Sequence, residues 1–359
     1  HGIPNAPVMP GDGKYRVYFT PKRPILARGF ALSRRRKGWT GCKPPVNNSG
    51  NRHGNQRIEP AAIMNCDPDF SEHPAFEVRQ PAEQRVPFVF NSPHSGRYYP
   101  PRFLAMSRLD AVSIRRSEDY FVDELFSGAV PLGAPMLMAH FPRAYLDVNR
   151  EPYELDPRMF GERLPPYANS RSIRVAGGLG TVPRVVSEGV EIYRNRIPVA
   201  EAQSRIANIY KPYHQTLREL LAQTHREFGF AVLIDCHSMP ASVRYGPEGV
   251  RPDFIVGDRF GTSASRDLSQ AAIEILSGMG YLVTANKPYA GGFITEHYGR
   301  PLKGLHALQI EVNRGLYMDE RTIIRKPSFP LLQDDIARFV SQLMSLPDSC
   351  FFDYSIAAE

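Results

Sequence analysis

The stretch Ala231-Val232-Leu233-Ile234-Asp235-Cys236-His237-Ser238 decides the fold. Its apolar residues run almost without a break, as in a strand covered by helices on both faces, and it closes on a histidine followed by serine. A second stretch, Val86-Pro87-Phe88-Val89-Phe90-Asn91-Ser92-Pro93-His94-Ser95-Gly96, ends in the same way. Strands of a parallel sheet point their carboxyl ends into the ligand crevice, so His94 and His237 are expected to look into one pocket. Two histidines and one carboxylate are a common protein donor set for a catalytic zinc, because they leave a position open for water. Metal-assisted hydrolysis is the chemistry this pattern points to.

Working outward, strands are predicted at 86–91, 136–140, 231–235, 253–256, 281–284 and 307–313. Helical stripes lie between and after them. Residues 200–228 align Ile206, Ile209, Tyr213, Leu217, Leu220 and Leu221; residues 265–279 align Leu268, Ala272, Ile275 and Met279; residues 331–345 align Leu332, Ile336, Phe339, Val340 and Leu343. Alternation of strands and helices over short connections predicts an α/β fold, a mostly parallel mixed sheet flanked by helices. Residues 150–200, rich in Pro, Gly and Arg, are expected to form loops over the site. There is no internal repeat and no second domain of comparable size.

The 359 residues are 42% hydrophobic, enough for a full core. No stretch approaches the roughly 20 apolar residues of a membrane span, and His1 to Pro10 lacks the apolar run of a secretory signal. Cys42, Cys66, Cys236 and Cys350 are scattered, which argues against a disulfide framework or a zinc ribbon and makes a reducing cytoplasm the expected compartment. The net charge of +7 is unevenly placed. Twelve Lys/Arg and two Asp/Glu fall within residues 1–60, so the rest of the chain is slightly acidic. Residues 1–74 read as a basic, disordered extension, and 75–359 as a single hydrolase domain. A basic tail can bind nucleic acid, but the acidic balance of the body argues against a groove-binding surface there.

Candidate site residues follow from this frame. Pro93 holds an extended approach to His94, and Gly96 permits a sharp turn after it. Asp235, two residues before His237 and on the same side of the strand, is placed to orient an imidazole. The acidic ligand is expected in Arg115-Arg116-Ser117-Glu118-Asp119-Tyr120-Phe121-Val122-Asp123-Glu124, where Glu118, Asp119 and Asp123 are alternatives. Glu311, aligned with Gln309 and Asn313 in a strand-like alternation, is the candidate base that takes a proton from water and returns it to the leaving nitrogen. Arg143, Tyr145, Asp147 and Asn149 alternate on one face, with Arg150 following. An arginine there can grip a carboxylate or steady an oxyanion, and another can form a structural Arg–Asp pair. Gly291-Gly292-Phe293-Ile294-Thr295-Glu296-His297-Tyr298-Gly299 reads as a glycine hinge on a closing loop. The chain carries no phosphate-binding loop, dinucleotide fingerprint or serine nucleophile elbow.

Taken in order, Pro93-His94-Ser95-Gly96, Asp119-Tyr120, Arg143 through Asp147-Val148-Asn149-Arg150, Asp235-Cys236-His237-Ser238, the Gly291–Gly299 segment and His306-Ala307-Leu308-Gln309-Ile310-Glu311 with Tyr317-Met318 resemble the N-formylglutamate amidohydrolase family. The resemblance covers about residues 80–345. It implies a zinc-carboxypeptidase-like, phosphorylase/hydrolase-like fold and the hydrolysis of a formamide to formate and a free amino acid. It also implies Asp119 as the acidic ligand beside His94 and His237, Glu311 as general base, and Arg143 and Arg150 as anion contacts. The cofactor is then a divalent metal, zinc by preference, and the partner a small N-acyl amino acid. Arg143 would act with the metal at the oxyanion; Arg150, Asn149, Asn286, His297 and Tyr298 would complete the substrate site. The sequence departs from the family at one place. Enzymes acting on formylglutamate carry Asn-Gly-Arg-Phe-Lys before the double glycine, whereas here it is Asn286-Lys287-Pro288-Tyr289-Ala290. A metal-dependent amidase or peptidase acting on another N-acyl amino acid or peptide shares the site and differs in this pocket.

Overall fold

In the computed structural model, residues 68–351 are described. Seven strands form the central sheet: β1 (Phe76–Arg79), β2 (Phe88–Ser92), β3 (Met136–Ala139), β4 (Ala231–Met239), β5 (Phe254–Gly257), β6 (Val283–Ala285) and β7 (Leu305–Asn313). Their spatial order is β1-β3-β2-β4-β7-β5-β6. The four central strands β3, β2, β4 and β7 are mutually parallel. β5 runs antiparallel to β7 and parallel to β6, and β1 closes the other edge antiparallel to β3. The sheet is therefore mixed and mainly parallel, as the run of β4 leads one to expect.

Strand β1 has no counterpart among the predicted strands. It has four residues and alternates Phe76 and Val78 with Glu77 and Arg79, a charged edge of the kind that discourages pairing with another sheet. Described structure also begins before residue 75: Phe70 is buried, with its ring 5.3 Å from Tyr98 and 5.7 Å from Tyr145. The expectation for the basic extension falls almost wholly outside the described residues.

One face of β4 carries Val232, Ile234 and Cys236 into an apolar cluster with Leu308, Ile310 and Val312 of β7. This face is covered by α3 (Arg266–Gly278) and α5 (Phe329–Met344), through Leu268, Ala272, Leu332 and Ile336. The opposite face begins apolar, with Ala231, Leu233, Val89 and Ala307 under α2 (Lys211–Phe228) and its Tyr213 and Leu217. Farther along, the same face turns polar: Asn91 on β2, Asp235 and His237 on β4, Gln309 and Glu311 on β7, all buried. A strand alternates sides every residue, so these positions share the side of Leu233 and Ala307. The apolar end anchors the sheet at roughly 1.5–3 kcal/mol for each fully buried aliphatic side chain, and the polar end is left for chemistry.

The helix expected at 200–228 is interrupted. α1 (Val199–Arg205) passes through a π-turn at Ile206–Tyr210 before α2 begins. Pro212 has no N–H to return to residue 208, so the backbone takes one wider turn instead of breaking. α3 is capped by Ser265, whose Oγ accepts from the Leu268 N–H at 3.3 Å. The segment after the double glycine, expected as a closing loop on a glycine hinge, forms a short helix, α4 (Phe293–Tyr298), with Ile294 and Thr295 buried. No helix among the described residues is long and apolar enough to cross a membrane.

Candidate metal centre and active site

His94 follows β2 directly, and its loop passes so near the next one that a Cβ on Gly96 would lie 2.0 Å from the carbonyl oxygen of Phe141. Glycine is needed here for close approach rather than for the sharp turn expected from the sequence. The His94 carbonyl accepts the Asp119 N–H at 3.0 Å, which draws the 115–121 loop to the strand end and delivers the Asp119 carboxylate to the histidines. Glu118 points elsewhere, to Arg115 at 2.9 Å and the Tyr99 hydroxyl at 2.6 Å, and Asp123 pairs with Arg97 at 2.6 Å. Tertiary structure thus sets apart three carboxylates that the acidic pattern alone leaves as alternatives and among which the family resemblance favours Asp119.

Both imidazoles turn Nδ1 towards one oxygen of Asp119. His237 Nδ1 lies 2.9 Å and His94 Nδ1 3.4 Å from Asp119 Oδ2. The far nitrogens are held by other carboxylates: His237 Nε2 by Asp235 Oδ2 at 2.9 Å and His94 Nε2 by Asp147 Oδ1 at 2.8 Å. Asp235 stands in the orienting position that its spacing suggests. Asp147, 53 residues from His94, does the same for the other ring, although in the sequence it reads only as an arginine partner. The three ligand atoms of His94, Asp119 and His237 lie within 4.8 Å of one another, and all three residues are buried. His94 Nδ1 is a buried polar atom with no hydrogen-bond partner. A cation at the shared focus would satisfy it, and the carboxylate–imidazole pairs behind it are the usual support of a metal-bound histidine. This buried group can hold a metal ion.

The electrostatics are consistent with that fit. Burial opposes ionisation of Asp119, but the His237 hydrogen bond and the neighbouring His94 ring hold its carboxyl well below the ordinary range. Burial likewise works against Asp147, and Arg150, Arg143 and His94 overcome it and keep it ionised. His237 is raised well above a normal imidazole, because Asp235 and Asp119 outweigh its burial. In register, Glu311 on β7 stands directly opposite His237 on β4, so both side chains rise from the same face on adjacent strands. Burial pushes the Glu311 carboxyl up to about 7, with Asp119 adding to the rise and His237, Arg143 and Arg314 opposing it. Gln309 steadies this carboxyl, donating from Nε2 to Oε1 at 2.8 Å while its own Oε1 accepts the Gly292 N–H at 2.8 Å.

The two arginines of the 143–150 run differ. Arg143 Nε donates to Asp147 Oδ2 at 2.9 Å, and its Nη atoms have no hydrogen-bond partner among the described residues. Arg150 is more deeply engaged: Nε donates to the Leu179 carbonyl at 2.9 Å and Nη1 to that of Asn149 at 2.8 Å, and burial lowers it to about 10. It clamps a loop, whereas Arg143 keeps an open guanidinium edge beside Asp119 and Glu311.

Four of the expected substrate contacts have these surroundings in the structure. Asn149 accepts the Ile294 N–H on Oδ1 at 2.8 Å and donates to Asp235 at 3.4 Å, joining α4 to β4. Asn286 sits at a positive φ of 61°. Its Oδ1 accepts the N–H groups of Asp258 and Phe260, and its Nδ2 donates to Asp258 Oδ1 at 2.7 Å. Tyr298 is buried with its hydroxyl 2.9 Å from His214 Nδ1. His297 lies on the exposed side of α4, stacked on Phe293 at 4.9 Å. The first three use their polar atoms inside the protein, and the fourth is exposed. Sequence reasoning missed Arg314, which closes the group from the far side: Nη2 donates to Asp119 Oδ1 at 3.0 Å. Tyr289 is also close, since Glu311, Arg314, Asp119 and Arg143 are the charges that act on its half-buried phenol, which burial raises.

Comparison with known proteins points to one family. The profile of the N-formylglutamate amidohydrolase family matches residues 86–318. An N-formylglutamate deformylase of Pseudomonas aeruginosa is 32% identical over 241 residues, 66% of this chain and 84% of that protein. One from Pseudomonas putida is 30% identical over 242 residues, with 66% and 83% covered. A crystal structure of N-formylglutamate amidohydrolase from Ralstonia eutropha JMP134 superposes with a TM-score of 0.71 at 33% identity, over 75% of this chain and 97% of that one. With its motifs, its sheet and these relatives in agreement, the chain belongs to the N-formylglutamate amidohydrolase family.

Proposed function

We propose that this protein hydrolyses the linear amide of an N-formyl amino acid, N-formylglutamate first among them, to formate and the free amino acid. The observation that carries this reading is the convergence of His94, Asp119 and His237 on one point beside the buried Glu311. His94 and His237 through Nδ1 and Asp119 through Oδ2 would hold a divalent metal, zinc by the affinity of that ion for imidazole and carboxylate. Bound there, the metal would supply a Lewis acid for the formyl oxygen and an acidified water.

The protein groups account for the remaining work. Glu311, with a proton affinity near neutrality, takes a proton from the attacking water and returns it to the leaving amine nitrogen. Gln309 holds the Glu311 carboxylate in place for both transfers. The open Nη edge of Arg143 binds the developing oxyanion or the carboxylate of the amino acid, as guanidinium geometry favours. Arg150 and Asn149 support this loop from behind. A second reading, an amidase acting on another N-acyl amino acid, is favoured by one observation. Pro288 and Ala290 offer no charge before the double glycine, and Lys287 is the cation of that stretch.

A reducing cytoplasm is the proposed compartment. We further propose that residues 75–359 form the catalytic domain and that the basic leader is an extension to it. Formate release from N-formyl-L-glutamate and a panel of N-formyl amino acids, with metal quantified on the same sample, tests the reading. About one metal per chain and formate release lost on chelation is the expected result. Metal without formate release from any of the panel would move the assignment to other amides. Neither metal nor activity after adding zinc would overturn it.

A further inference from the structure

Asp119 divides its carboxylate between two sets of partners. Oδ2 faces His237 Nδ1 at 2.9 Å and His94 Nδ1 at 3.4 Å. Oδ1 faces the other way, accepting Arg314 Nη2 at 3.0 Å and the Ser238 hydroxyl at 3.4 Å. Arg314 is itself held from several sides. Its Nε donates to Ser238 Oγ at 3.0 Å, its Nη1 lies 3.4 Å from Glu320, and its guanidinium sits 5.6 Å from the centre of the Tyr120 ring. The backbone beneath it is equally constrained. Asn313 Oδ1 accepts the Gly315 N–H at 2.8 Å, and the Tyr317 hydroxyl donates to the Tyr120 carbonyl at 2.8 Å, tying the end of β7 to the loop that carries Asp119. Arg314 is buried, so its rotamer is fixed by packing as well as by charge.

We propose that Arg314 is a positioning residue that restricts Asp119 to one donor oxygen, Oδ2, at the His94–His237 focus. This inference rests on the reading of that focus as a metal centre. A carboxylate free at both oxygens can chelate a cation with two. Here the second oxygen is in a charge-assisted hydrogen bond to a guanidinium, and turning it towards a cation would cost the buried Arg314 its nearest carboxylate partner. Keeping Asp119 to one oxygen leaves more of the cation's coordination sphere to water and substrate. Because Arg314 also draws charge from Asp119, the carboxylate becomes a weaker donor and the cation remains more electrophilic.

Replacing the metal by cobalt(II) in the full-length protein makes coordination number visible, since four-coordinate cobalt absorbs more strongly in the visible range than five-coordinate cobalt. The wild type is expected to bind one cobalt per chain with strong absorption. In Arg314→Met the released Oδ1 becomes an added donor and the absorption falls several-fold at unchanged stoichiometry. Arg314→Lys, which keeps a cation near Oδ1, retains most of the wild-type band. Should Arg314→Met fail to fold, Ser238→Ala removes both the second donor to Oδ1 and the Nε anchor, and a smaller fall is expected. A folded Arg314→Met protein with the wild-type spectrum, or in its absence a Ser238→Ala protein with that spectrum, overturns the proposal. A wild type that binds no cobalt instead overturns the metal-centre reading on which it stands.

Discussion

Asp147 and Asp235 each hold the far nitrogen of one histidine, and that pairing sets which ring atom is offered to the centre. Asp147→Asn should loosen His94 and weaken metal binding about 10–100-fold, read by competition with a chelator. An unchanged affinity would mean that His94 is oriented by packing alone. Glu311→Gln should keep the metal content and lower kcat by about 10²–10⁴, the usual contribution of a positioned proton-transfer group. Full activity in that variant would remove Glu311 from the mechanism. The sign of the pH dependence follows from the same residue. A base must be deprotonated, and burial pushes the Glu311 carboxyl up to about 7. A bound cation favours the carboxylate, so kcat/KM should fall on the acid side with an apparent pKa at or below that value, and the limb should disappear in Glu311→Gln.

Elements matter here for how near they bring their loops. β2 and β3 end side by side, and Gly96 lets the His94 loop cross the backbone at Phe141 with no room for a side chain. Gly96→Ala would place its Cβ against main chain that cannot swing away, and a loss of about 3 kcal/mol or more in urea unfolding is expected. Gly161 offers the control, because a Cβ added there would meet nothing within 4 Å; Gly161→Ala should change stability by no more than about 0.5 kcal/mol. Equal effects at the two positions would show that the crossing is softer than its geometry implies. Gly292 has a comparable constraint, since its Cβ would meet the Asn149 amide at 2.4 Å, the group that ties α4 to the site.

Across the whole molecule, metal binding and folding should be linked. A cation that binds only the native site at a free concentration 100 times its Kd adds about 2.7 kcal/mol. Chelation should then lower Tm by roughly 4–5 °C in a body of this size, measured by calorimetry. No shift in a protein shown to lose its metal would mean that the ion binds the unfolded chain as well as the native one. The candidate catalytic and metal-binding residues lie between His94 and Arg314, well clear of the basic leader. A chain starting at Pro68, which keeps the Phe70 anchor, should therefore show unchanged kcat/KM, and a loss would give the leader a part in catalysis.

His94, His237 and Glu311 are legible in the amino-acid sequence because strand periodicity is local. An apolar run that ends in a polar residue announces where a strand leaves the core, and alternation says which side its residues take. The mixed α/β sheet and its major helices follow from the same signal. What tertiary structure alone decided is pairing across distance. Asp119 separates from Glu118 and Asp123 through one backbone bond to His94, Asp147 reaches the ring of His94, and Arg314 reaches Asp119 from the end of β7. Asn149, Asn286 and Tyr298 read as substrate contacts in one dimension, and in three each has a partner within the protein that the sequence does not announce. The physical reason is common to all of them. A polar side chain near a buried site must find a partner, and the chain order carries no record of which distant group the fold will bring within hydrogen-bond reach.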